Sequence, residues 1–396
     1  MNLLRQCVAI TNANLRSLGR RQWISISLVF SVTLVTMILL GFLAMANGFN
    51  KTLTQMGSED VAIVMGLGAR SELGSSIAPP HIHLLEEAPG LVKNPQGTTV
   101  LSAETIVPVD VLGKQDHLPA TVSLRGIGAH GLTLRPSIKL VSGRLFTLGA
   151  NELIVGQRLS QEYEGLTLND TIEFGRSRWK IVGIFEANGS VFESELLSDV
   201  KVVQILFNRP NQVQSLRAQL AGPNSLEQLT SYIDANPRLP VRVLSEKQYF
   251  SAQSERVSQI ILWLGWPISL VMALGAIIGA LTTLYSSVSD RQVEIATVRA
   301  LGFSRISAFV GTWLEGLLLT LVGCFIGLCA ALLLLDGWAA STVGTDNTQI
   351  AFELKLSFSM AANAVLLALL VGAIGGGLPA LHATRIPLRL AMTRRS

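Results

Sequence analysis

The pattern of hydrophobic and polar positions divides the chain into four long apolar runs and one long polar segment. The apolar runs are residues 22–50, 257–289, 306–335 and 356–384. Glu315 is the only charged residue in them. Each run exceeds the roughly 20 apolar residues with which a helix crosses the hydrocarbon core of a bilayer. The pattern therefore predicts four transmembrane helices, at residues 23–47, 257–287, 306–335 and 357–381.

The polar segment between the first two predicted helices, residues 48–256, has the pattern of an α+β domain. Runs rich in β-branched residues predict strands at Val61–Met65, Thr99–Val111 and Thr121–Gly126. Alternating polar and apolar residues on both sides of the turn at 175–177 predict a β-hairpin. The predicted fold class is thus an α-helical membrane protein with four transmembrane helices plus a large extracytoplasmic α+β domain inserted between helices 1 and 2.

Capping motifs predict where helices begin inside this domain. Ser225 and Ser245 each precede a glutamine by three residues, a spacing at which the two side chains cap the first turn of a helix reciprocally. The second motif opens a stretch without glycine until Gly265 and without proline until Pro267. We therefore expect one stiff helix that continues into the second transmembrane segment. Pro79-Pro80 marks a predicted loop.

The distribution of basic residues predicts that both termini lie in the cytoplasm. Residues 1–22 carry four arginines and the tail at 382–396 carries four, with no acidic residue in either. The loop at 288–305 adds three arginines, whereas the loop at 336–356 has three acidic residues and one lysine. Short cytoplasmic loops are enriched in Lys and Arg. We therefore expect a multi-pass membrane protein with residues 48–256 outside.

Composition excludes several classes of protein. Hydrophobic residues make up 49% and charged residues 15% of the 396 residues, whereas soluble domains carry about 25% charged residues, so a fully soluble protein is excluded. Cys7, Cys324 and Cys329 all lie outside the polar segment, which excludes a disulfide-rich secreted domain. The net charge of +4 reflects membrane orientation, because residues 51–256 carry −2 and the remainder +6. Nucleic-acid binding is not expected.

The sequence contains no pattern of an enzyme or of a resident cofactor. Neither G-x-x-x-x-G-K-[ST] nor a G-x-G-x-x-G between a predicted strand and a helix occurs. His81-x-His83 is the only close histidine pair and supplies two of the four ligands of a structural zinc. No serine or cysteine has a histidine and a carboxylate at a familiar spacing. We therefore expect no catalytic, cofactor-binding or metal site in this chain.

The predicted cytoplasmic loop between the second and third spans has the pattern of a short amphipathic helix. Val293, Ala296 and Ala300 share one helical face, with Leu301 at its edge, and charges occupy the other faces. Gly302 suits the C-terminal end of such a helix. Spacing alone leaves two interpretations, a helix that lies on the lipid surface and a docking helix that transmits force from a cytoplasmic partner.

Glu315 and six glycines are the candidate residues inside the predicted spans. A carboxylate is costly inside a membrane and is a functional candidate by default. A proton relay needs further ionisable groups at similar depth, and the sequence shows none, so we favour a structural role with a hydrogen bond to a neighbouring span. The GxxxG pairs suit close helix packing within the subunit. They are Gly275–Gly279, Gly323–Gly327 and Gly372–Gly376.

Several motifs resemble those of the FtsX/MacB-like permeases of ATP-binding-cassette (ABC) systems. The loop motif is Arg291-x-x-Glu294-Ile295-Ala296-x-x-Arg299-Ala300-Leu301-Gly302. The C-terminal motif is Gly376-Gly377-Leu378-Pro379-Ala380, followed by Ala383-Thr384-Arg385 and Pro387. Glu152–Gly156 and Ile181–Ile184 are similar to the extracytoplasmic (periplasmic core) domain of that family. The predicted order of helices and outer domain matches the family as well.

The resemblance implies that the chain lies in a bacterial inner membrane and that it has partners. It identifies an ATPase-coupling helix whose residues are Arg291, Glu294, Ile295, Arg299, Ala300, Leu301 and Gly302. It implies a dimer with a second permease copy or a paralogue, seated on a dimer of ABC ATPase subunits that hold ATP and Mg²⁺. Only 22 residues precede the first predicted span, so we expect that ATPase to be a separate protein.

The function expected from the resemblance is that of the permease subunit of an ABC-type export or extraction system. ATP-driven motion would reach the outer domain and move a hydrophobic or lipidated substrate or a peptide. A periplasmic adaptor and an outer-membrane channel are further expected partners. The alternative is a relay that moves no substrate and activates an extracytoplasmic enzyme such as a cell-wall hydrolase. A membrane enzyme, the third possibility, lacks a catalytic constellation.

Overall fold

Two compact units make up the chain. The computed structural model describes residues 3–17, 22–54, 57–114, 117–290, 292–343 and 348–385. The first unit, here called the helical unit, consists of Met1–Asn47, Gln259–Trp338 and Leu354–Ser396. The second, here called the sheet unit, consists of Gly48–Ser258 and Ala339–Glu353.

Long helices form the helical unit. In chain order the helices of the whole structure are α1 (Leu3–Ser17), α2 (Gln22–Thr54), α3 (Pro79–Glu86), α4 (Gln157–Glu162), α5 (Val200–Leu206), α6 (Ser225–Asp234), α7 (Glu246–Asp290), α8 (Gln292–Ala300), α9 (Arg305–Leu334) and α10 (Phe358–Thr384). Among the described residues, α2 (over Ser25–Thr54), α7, α9 and α10 are long and apolar enough to cross a membrane. The predicted number of such helices is confirmed, and each contains most of one predicted span.

The interior of the helical unit is filled by aliphatic and small side chains. Leu40, Ala276 and Cys324 are buried in one apolar cluster of this unit, and Cys324 thus serves as a small packing residue. Large apolar side chains such as Leu333 and Phe358 lie exposed on the outer faces. Helices that are apolar on all sides are typical of a bilayer environment.

Helix α7 is a single element of 45 residues with Pro267 inside it, which confirms the prediction of one helix that continues into the second span. At 1.5 Å per residue it is about 68 Å long. The predicted capping box is present at its start. The Ser245 N–H donates to Gln248 Oε1 over 3.2 Å, and the Gln248 N–H donates to Ser245 Oγ over 3.1 Å. The box predicted at Ser225 is wrong, because α6 begins with Asn224 as its cap residue and has no side-chain cap.

A ten-stranded mixed sheet forms the centre of the sheet unit. Its strands are β1 (Val61–Gly66), β2 (Leu101–Leu112), β3 (Pro119–Ile127), β4 (Lys139–Gly143), β5 (Glu152–Gly156), β6 (Thr171–Phe174), β7 (Ser177–Glu186), β8 (Glu195–Asp199), β9 (Ser215–Gln219) and β10 (Val241–Ser245). The order is β10-β1-β9-β2-β3-β8-β5-β7-β4, with β6 paired to β7. Together with α3–α6 this confirms the predicted α+β domain.

Local predictions inside the sheet unit succeeded where alternation or β-branched runs were strong. The hairpin β6–β7 is antiparallel, with Phe174 opposite Ser177, as alternation predicted. The loop predicted at Pro79-Pro80 is wrong, because both prolines occupy the first turn of α3. Proline is tolerated there, since the first N–H groups of a helix have no intrahelical partner.

Two apolar clusters support the sheet. The larger one includes Val122, Trp179 and Leu196 and packs α4 and α5 against β2, β3 and β5–β8. The other includes Leu216 and Leu229 and packs α3 and α6 against β1, β9 and β10. Apolar burial on this scale contributes most of the stability of a domain.

The short connection between α9 and α10, expected to be a loop at 336–356, forms a β-hairpin that belongs to the sheet unit. Its strands are β11 (Ala339–Val343) and β12 (Gln349–Glu353). Phe352 is buried and meets Phe49 edge to face, with 5.7 Å between ring centroids. Tyr163 Oη donates to Gln349 Oε1 over 2.6 Å. Two aromatic rings and a hydrogen bond thus hold this hairpin in the sheet unit.

Candidate functional site

Helix α8 follows α7 and ends at a glycine. Gly302 has a φ of +98°, a left-handed conformation that favours glycine, and its N–H donates to the Arg299 carbonyl over 3.1 Å. Helix α9 begins directly afterwards, with Ser304 as its cap, because Ser304 Oγ accepts from the Ser307 N–H over 3.1 Å. The helix therefore ends at the glycine that the sequence singled out. Arg291, another predicted coupling residue, lies outside the described residues.

The apolar face predicted for α8 is divided in the structure. Ala296 is 0% exposed and lies in a cluster with Val288 of α7 and Ala383 of α10. Ala300 is exposed and Leu301 is 76% exposed. The helix packs through its alanine because a methyl side chain lets it approach α7 and α10 closely. One residue of the predicted face therefore anchors the helix, whereas two remain on its surface.

A cavity of about 120 Å³ lies among α1, α7, α8 and α9. Polar side chains from all four helices line it, among them Asn14, Ser287, Glu294, Arg299 and Glu315. Each of these five has an interaction partner. The structure thus brings the predicted intramembrane residue together with three of the predicted coupling residues, Glu294, Ile295 and Arg299, which the sequence treated separately.

Glu315 is 4% exposed and is not alone among ionisable groups. The sequence showed none at its depth, but Glu294 and Arg299 line the same cavity. The structure therefore places two ionisable side chains on the same cavity as Glu315, because α8 lies beside α9 in space.

Helix α1 was missed by the sequence analysis, which described residues 1–22 only as a basic segment. Its inner side carries Ile10 and Asn14, which line the cavity, and Asn14 is buried. The spacing of four between these residues, together with Cys7 three positions earlier, places them on one helical face. That spacing was the signal that could have revealed the helix.

The glycines of α9 lie in close contact with α2. A Cβ at Gly323 would come within 2.7 Å of the Val29 carbonyl oxygen, and one at Gly327 within 2.8 Å of the Thr33 carbonyl oxygen. Thr33 Oγ1 donates to the Gly323 carbonyl over 3.0 Å. Only glycine permits this approach, so the predicted packing within the subunit holds for this pair.

The other two glycine pairs differ in whether another helix of the chain packs against them. A Cβ at Gly372 would collide with Thr320 Oγ1 of α9, and Gly376 lies against Trp313 of the same helix. A Cβ at Gly275 or Gly279 of α7 would have no atom of the described structure within 4 Å. The prediction of packing within the subunit is therefore wrong for this last pair, because no described helix of the chain covers that face of α7.

A buried network of charged side chains lies in the sheet unit. Its members are at most 6% exposed and are Glu72, Glu104, Glu195, Glu246, Arg125, Arg135 and Arg217. Arg125 of β3 lies at its centre. Its Nε and Nη2 donate to the two oxygens of Glu195 over 2.8 and 2.7 Å. Its Nη1 donates to Glu72 over 3.0 Å and to Glu104 over 2.9 Å.

Arg217 of β9 connects this network to helix α7. Its Nε donates to Glu246 Oε1 over 3.1 Å, and Glu246 is the first residue of α7. Its Nη1 donates to Glu72 over 3.1 Å and also to Glu104. The start of the longest helix is therefore fixed to the sheet by charge-assisted hydrogen bonds, which are stronger than neutral ones.

The arginines keep the carboxyl groups of the network ionised. Burial would raise the pKa of Glu72, but the positive charges of Arg125 and Arg217 outweigh it and lower this pKa from 4.5 to about 2. Burial also opposes ionisation of Glu104. The positive charges of Arg135, Arg217 and Arg125 outweigh burial and hold the pKa of Glu104 well below its usual range. Both glutamates are thus carboxylates at neutral pH.

The sequence analysis did not single out this network. Glu104 lies inside the predicted strand Thr99–Val111 and Arg125 inside Thr121–Gly126. Alternation places both charges on the strand faces opposite Val107 and Val122, which belong to the larger apolar cluster. The pattern along each strand therefore does not indicate that these charges are buried.

The histidines singled out by the sequence lie on α3. His83 Nδ1 is 3.2 Å from Glu86 Oε2 in an exposed pair. Within the described ranges, no group of three or more His, Cys, Asp or Glu side chains could hold a metal ion. The cavity beside α8 and the charge network are therefore candidate sites in the described part of the chain.

Two family models match the chain. The MacB-like periplasmic core domain matches residues 25–236, more than half of the chain. The FtsX-like permease C-terminal model matches residues 267–388, which include α8, α9 and α10. No curated protein matches the chain.

Solved structures resemble the chain only remotely. The crystal structure of the extracellular domain of the noncanonic ABC-type transporter YknZ from Gram-positive bacteria is 13% identical, with a TM-score of 0.36, over 47% of this chain and 100% of that one. The periplasmic region of MacB from Actinobacillus actinomycetemcomitans is 13% identical, with a TM-score of 0.37, over 52% of this chain and 94% of that one. The family models and the four apolar helices together show that the chain belongs to the FtsX/MacB-like permeases, multi-pass membrane proteins of ABC systems that work with an ABC ATPase.

Proposed function

We propose that this chain is the permease subunit of an ABC-type export or extraction system. A separate cytoplasmic ATPase, which holds ATP and Mg²⁺, displaces α8, and the displacement passes along α7 to the sheet unit outside the membrane. The chain itself hydrolyses no ATP. The sheet unit then moves a hydrophobic or lipidated substrate or a peptide.

The packing of α8 is the observation that carries this proposal. The helix is anchored by Ala296 against Val288 of α7 and Ala383 of α10, while Ala300 and Leu301 on its surface are exposed. A partner that binds the exposed residues therefore acts on a helix that is packed against two spans. Displacement of α8 requires those spans to move, because packed interiors transmit strain rather than absorb it.

Helix α7 supports the proposed passage of the displacement from α8 to the sheet unit. It is one helix from Glu246 in the charge network to Asp290, next to α8, with Pro267 inside it. Proline removes one backbone hydrogen bond, and the helix continues on both sides of it, so a shift at one end acts on the other. The network then passes this shift from Glu246 to Arg217 and the central strands.

A second permease copy or a paralogue completes the membrane part of the proposed assembly. Gly275 and Gly279 support this part of the proposal, because no described residue covers them and a GxxxG face allows a second helix to approach closely in lipid. A periplasmic adaptor and an outer-membrane channel are further proposed partners on the outer side.

The docking of the ATPase is tested by charge substitution on the exposed face of α8. We expect Leu301→Glu and Glu294→Lys to reduce copurification of an ATPase subunit from native membranes, while membrane insertion is retained. Arg178→Glu is the matched control, since Arg178 lies exposed in the hairpin of the sheet unit. Unchanged copurification in several α8 variants would reject the coupling role. Recovery of a cell-wall hydrolase, without any transported molecule, would instead favour the relay.

The orientation is tested by single cysteines in a variant whose three native cysteines are replaced. Thr171 lies exposed on β6 and Thr297 lies exposed on α8. We expect a membrane-impermeant maleimide to label Thr171→Cys in intact spheroplasts, and Thr297→Cys only after the membrane is disrupted. The opposite labelling pattern would place the sheet unit in the cytoplasm and end the proposal.

A further inference from the structure

A cleft of about 390 Å³ opens in the sheet unit, within the range of about 300–1,000 Å³ that is typical of ligand pockets. Exposed polar residues, among them Asp60, Thr133 and Asn188, form its mouth. Its floor contains the buried side chains of Arg135, Glu246 and Phe192. The cleft therefore combines exposed polar residues with buried charged and aromatic side chains.

Arg135 offers an unused hydrogen-bond donor at this floor. The residue is 2% exposed. Its Nη2 donates to Glu104 over 2.7 Å and its Nη1 to the Gly131 carbonyl over 2.9 Å, but its Nε–H has no partner among the described residues. A buried donor without a partner is unfavourable. An acceptor oxygen bound in the cleft would satisfy it.

Asp60 offers a negative charge at the mouth. Its carboxylate takes part in none of the ion pairs of the described residues. Its backbone is fixed, because its N–H donates to Ser58 Oγ over 3.0 Å and its carbonyl accepts from the Leu220 N–H over 2.8 Å. An exposed carboxylate that takes part in no ion pair of the described residues favours a ligand with a positive charge at the entrance.

We propose that this cleft binds the amino-terminal end of a peptide. The α-ammonium group pairs with Asp60, and a backbone carbonyl oxygen accepts from Arg135 Nε. The cavity has room for two or three small residues, and the hydroxyl and amide groups of Thr133 and Asn188 suit a polar backbone. An acyl chain would leave both Asp60 and Arg135 without partners.

The position of the cleft connects such binding to the proposed function, on which this inference rests for its choice of substrate class. Glu246 belongs to the floor and is the first residue of α7. A bound peptide therefore lies beside the residue that joins α7 to the charge network. The inference selects a peptide among the substrates that the proposed function leaves open.

Isothermal titration of the full-length protein in nanodiscs, without ATPase, tests the inference with trialanine, N-acetyl-trialanine and alanine as probes. We expect trialanine to bind, acetylation to weaken binding at least tenfold, and alanine to bind at least tenfold more weakly. Asp60→Asn should weaken trialanine binding by a similar factor and remove the effect of acetylation. Thr133→Trp should block the cleft and abolish binding. Thr171→Trp, an equal change at an exposed strand position, should bind like the original protein.

Three results would overturn the inference. The first is no binding of trialanine at millimolar concentration, and the second is unchanged binding by Thr133→Trp. The third is displacement of trialanine by lysophospholipid. If lysophospholipid displaces it equally well from Asp60→Asn and from the original protein, the cleft is a lipid site. Because the titration contains no ATPase, its failure leaves copurification of the ATPase unaffected. If the ATPase does not copurify but the peptide still binds, only the permease role is rejected.

Discussion

Arg217 Nε and Glu246 Oε1 lie 3.1 Å apart, and this ion pair joins strand β9 to the first residue of helix α7. Both side chains are buried, so water cannot replace either partner. Removal of one member of a buried pair leaves an uncompensated charge in a medium of low dielectric constant. The link between α7 and the sheet therefore depends on both charges being present.

Replacement of Arg217 is expected to destabilise the sheet unit strongly. Arg217→Met keeps most of the side-chain volume but leaves Glu72, Glu104 and Glu246 without their shared donor. We expect a loss of about 3–5 kcal/mol in unfolding free energy. Thermal unfolding of the full-length protein in detergent, followed by tryptophan fluorescence, measures the change.

An exposed pair of the same chemistry is the control for this change. Arg178 and Glu173 form an ion pair of 2.7 Å on the solvent-exposed hairpin β6–β7. Arg178→Met should cost about 0–1 kcal/mol, because exposed pairs are weakened by solvent and by side-chain entropy. Equal effects at the two positions would contradict a structural role for the buried network.

Acid is expected to weaken the sheet unit through Glu72. The pKa of this carboxyl is 4.5 in the unfolded chain and about 2 in the folded protein, because Arg125 and Arg217 outweigh burial. A lowered folded pKa adds stability that is complete above the unfolded pKa and is lost as the pH falls toward the folded one. Thermal midpoints should therefore be steady from pH 7 to about 5 and fall between pH 4.5 and 2.

A variant without the titrating group tests this assignment. Glu72→Gln should be less stable at pH 7, since Arg125 and Arg217 lose a charged partner, but its stability should depend less on pH between 4.5 and 2. If the variant and the original protein lose stability with the same slope in this window, Glu72 does not carry the pH dependence.

The elements that the sequence predicted are those governed by patterns along the chain itself. The four spans follow from missing charges, and the hairpin of Thr171–Phe174 with Ser177–Glu186 follows from alternation. Helix α7 follows from the reciprocal cap of Ser245 and Gln248 and from a long stretch without glycine. In each case the deciding information lies within a few residues.

The candidate sites escaped prediction because their residues come from distant parts of the chain. Glu104 and Arg125 lie on neighbouring strands, but their partners Glu72 and Arg217 come from a loop and from β9. Charged residues in a strand are ordinarily assigned to the solvent face, so only the pairing of strands reveals that they are buried together. The same holds for Glu315, whose cavity contains residues of α1 and α8.

The glycines of α9 and α7 are expected to differ in their tolerance of a larger side chain. A Cβ at Gly323 would meet the Val29 carbonyl oxygen at 2.7 Å, whereas one at Gly279 would meet nothing within 4 Å among the described atoms. Gly323→Leu should force α2 and α9 apart and cost about 1–3 kcal/mol or more. Gly279→Leu should leave the thermal midpoint of the detergent-solubilised monomer unchanged.

The same two variants test the proposed second copy. If α7 of one copy packs against a second helix through Gly279, then Gly279→Leu should reduce chemical cross-linking between copies in native membranes while the fold is retained. A monomer destabilised as much by Gly279→Leu as by Gly323→Leu would show that another part of the same chain covers this face.

Glu315 is expected to act through its polarity rather than through its charge. The residue lines a cavity with Asn14, Glu294 and Arg299, and it has an interaction partner. Glu315→Gln keeps an acceptor oxygen and nearly the same volume, so ATP-driven activity of the reconstituted complex should be retained. Glu315→Leu leaves buried polar groups without a partner and should cost about 1–3 kcal/mol, with reduced stimulation of the ATPase.

Thr312→Val is the control for Glu315→Leu. It shows whether the loss of any polar side chain in this cavity has the same effect as the loss of Glu315. Thr312 lines the same cavity, and its Oγ1 donates only to the Ala308 carbonyl of its own helix, over 3.1 Å. This variant should therefore retain both stability and activity. If Glu315→Gln abolishes ATP-driven activity while the complex still assembles and binds its ATPase, a group that releases its proton is required at position 315. Glu294, on the same cavity, would then be the first residue to examine as the second member of a proton relay.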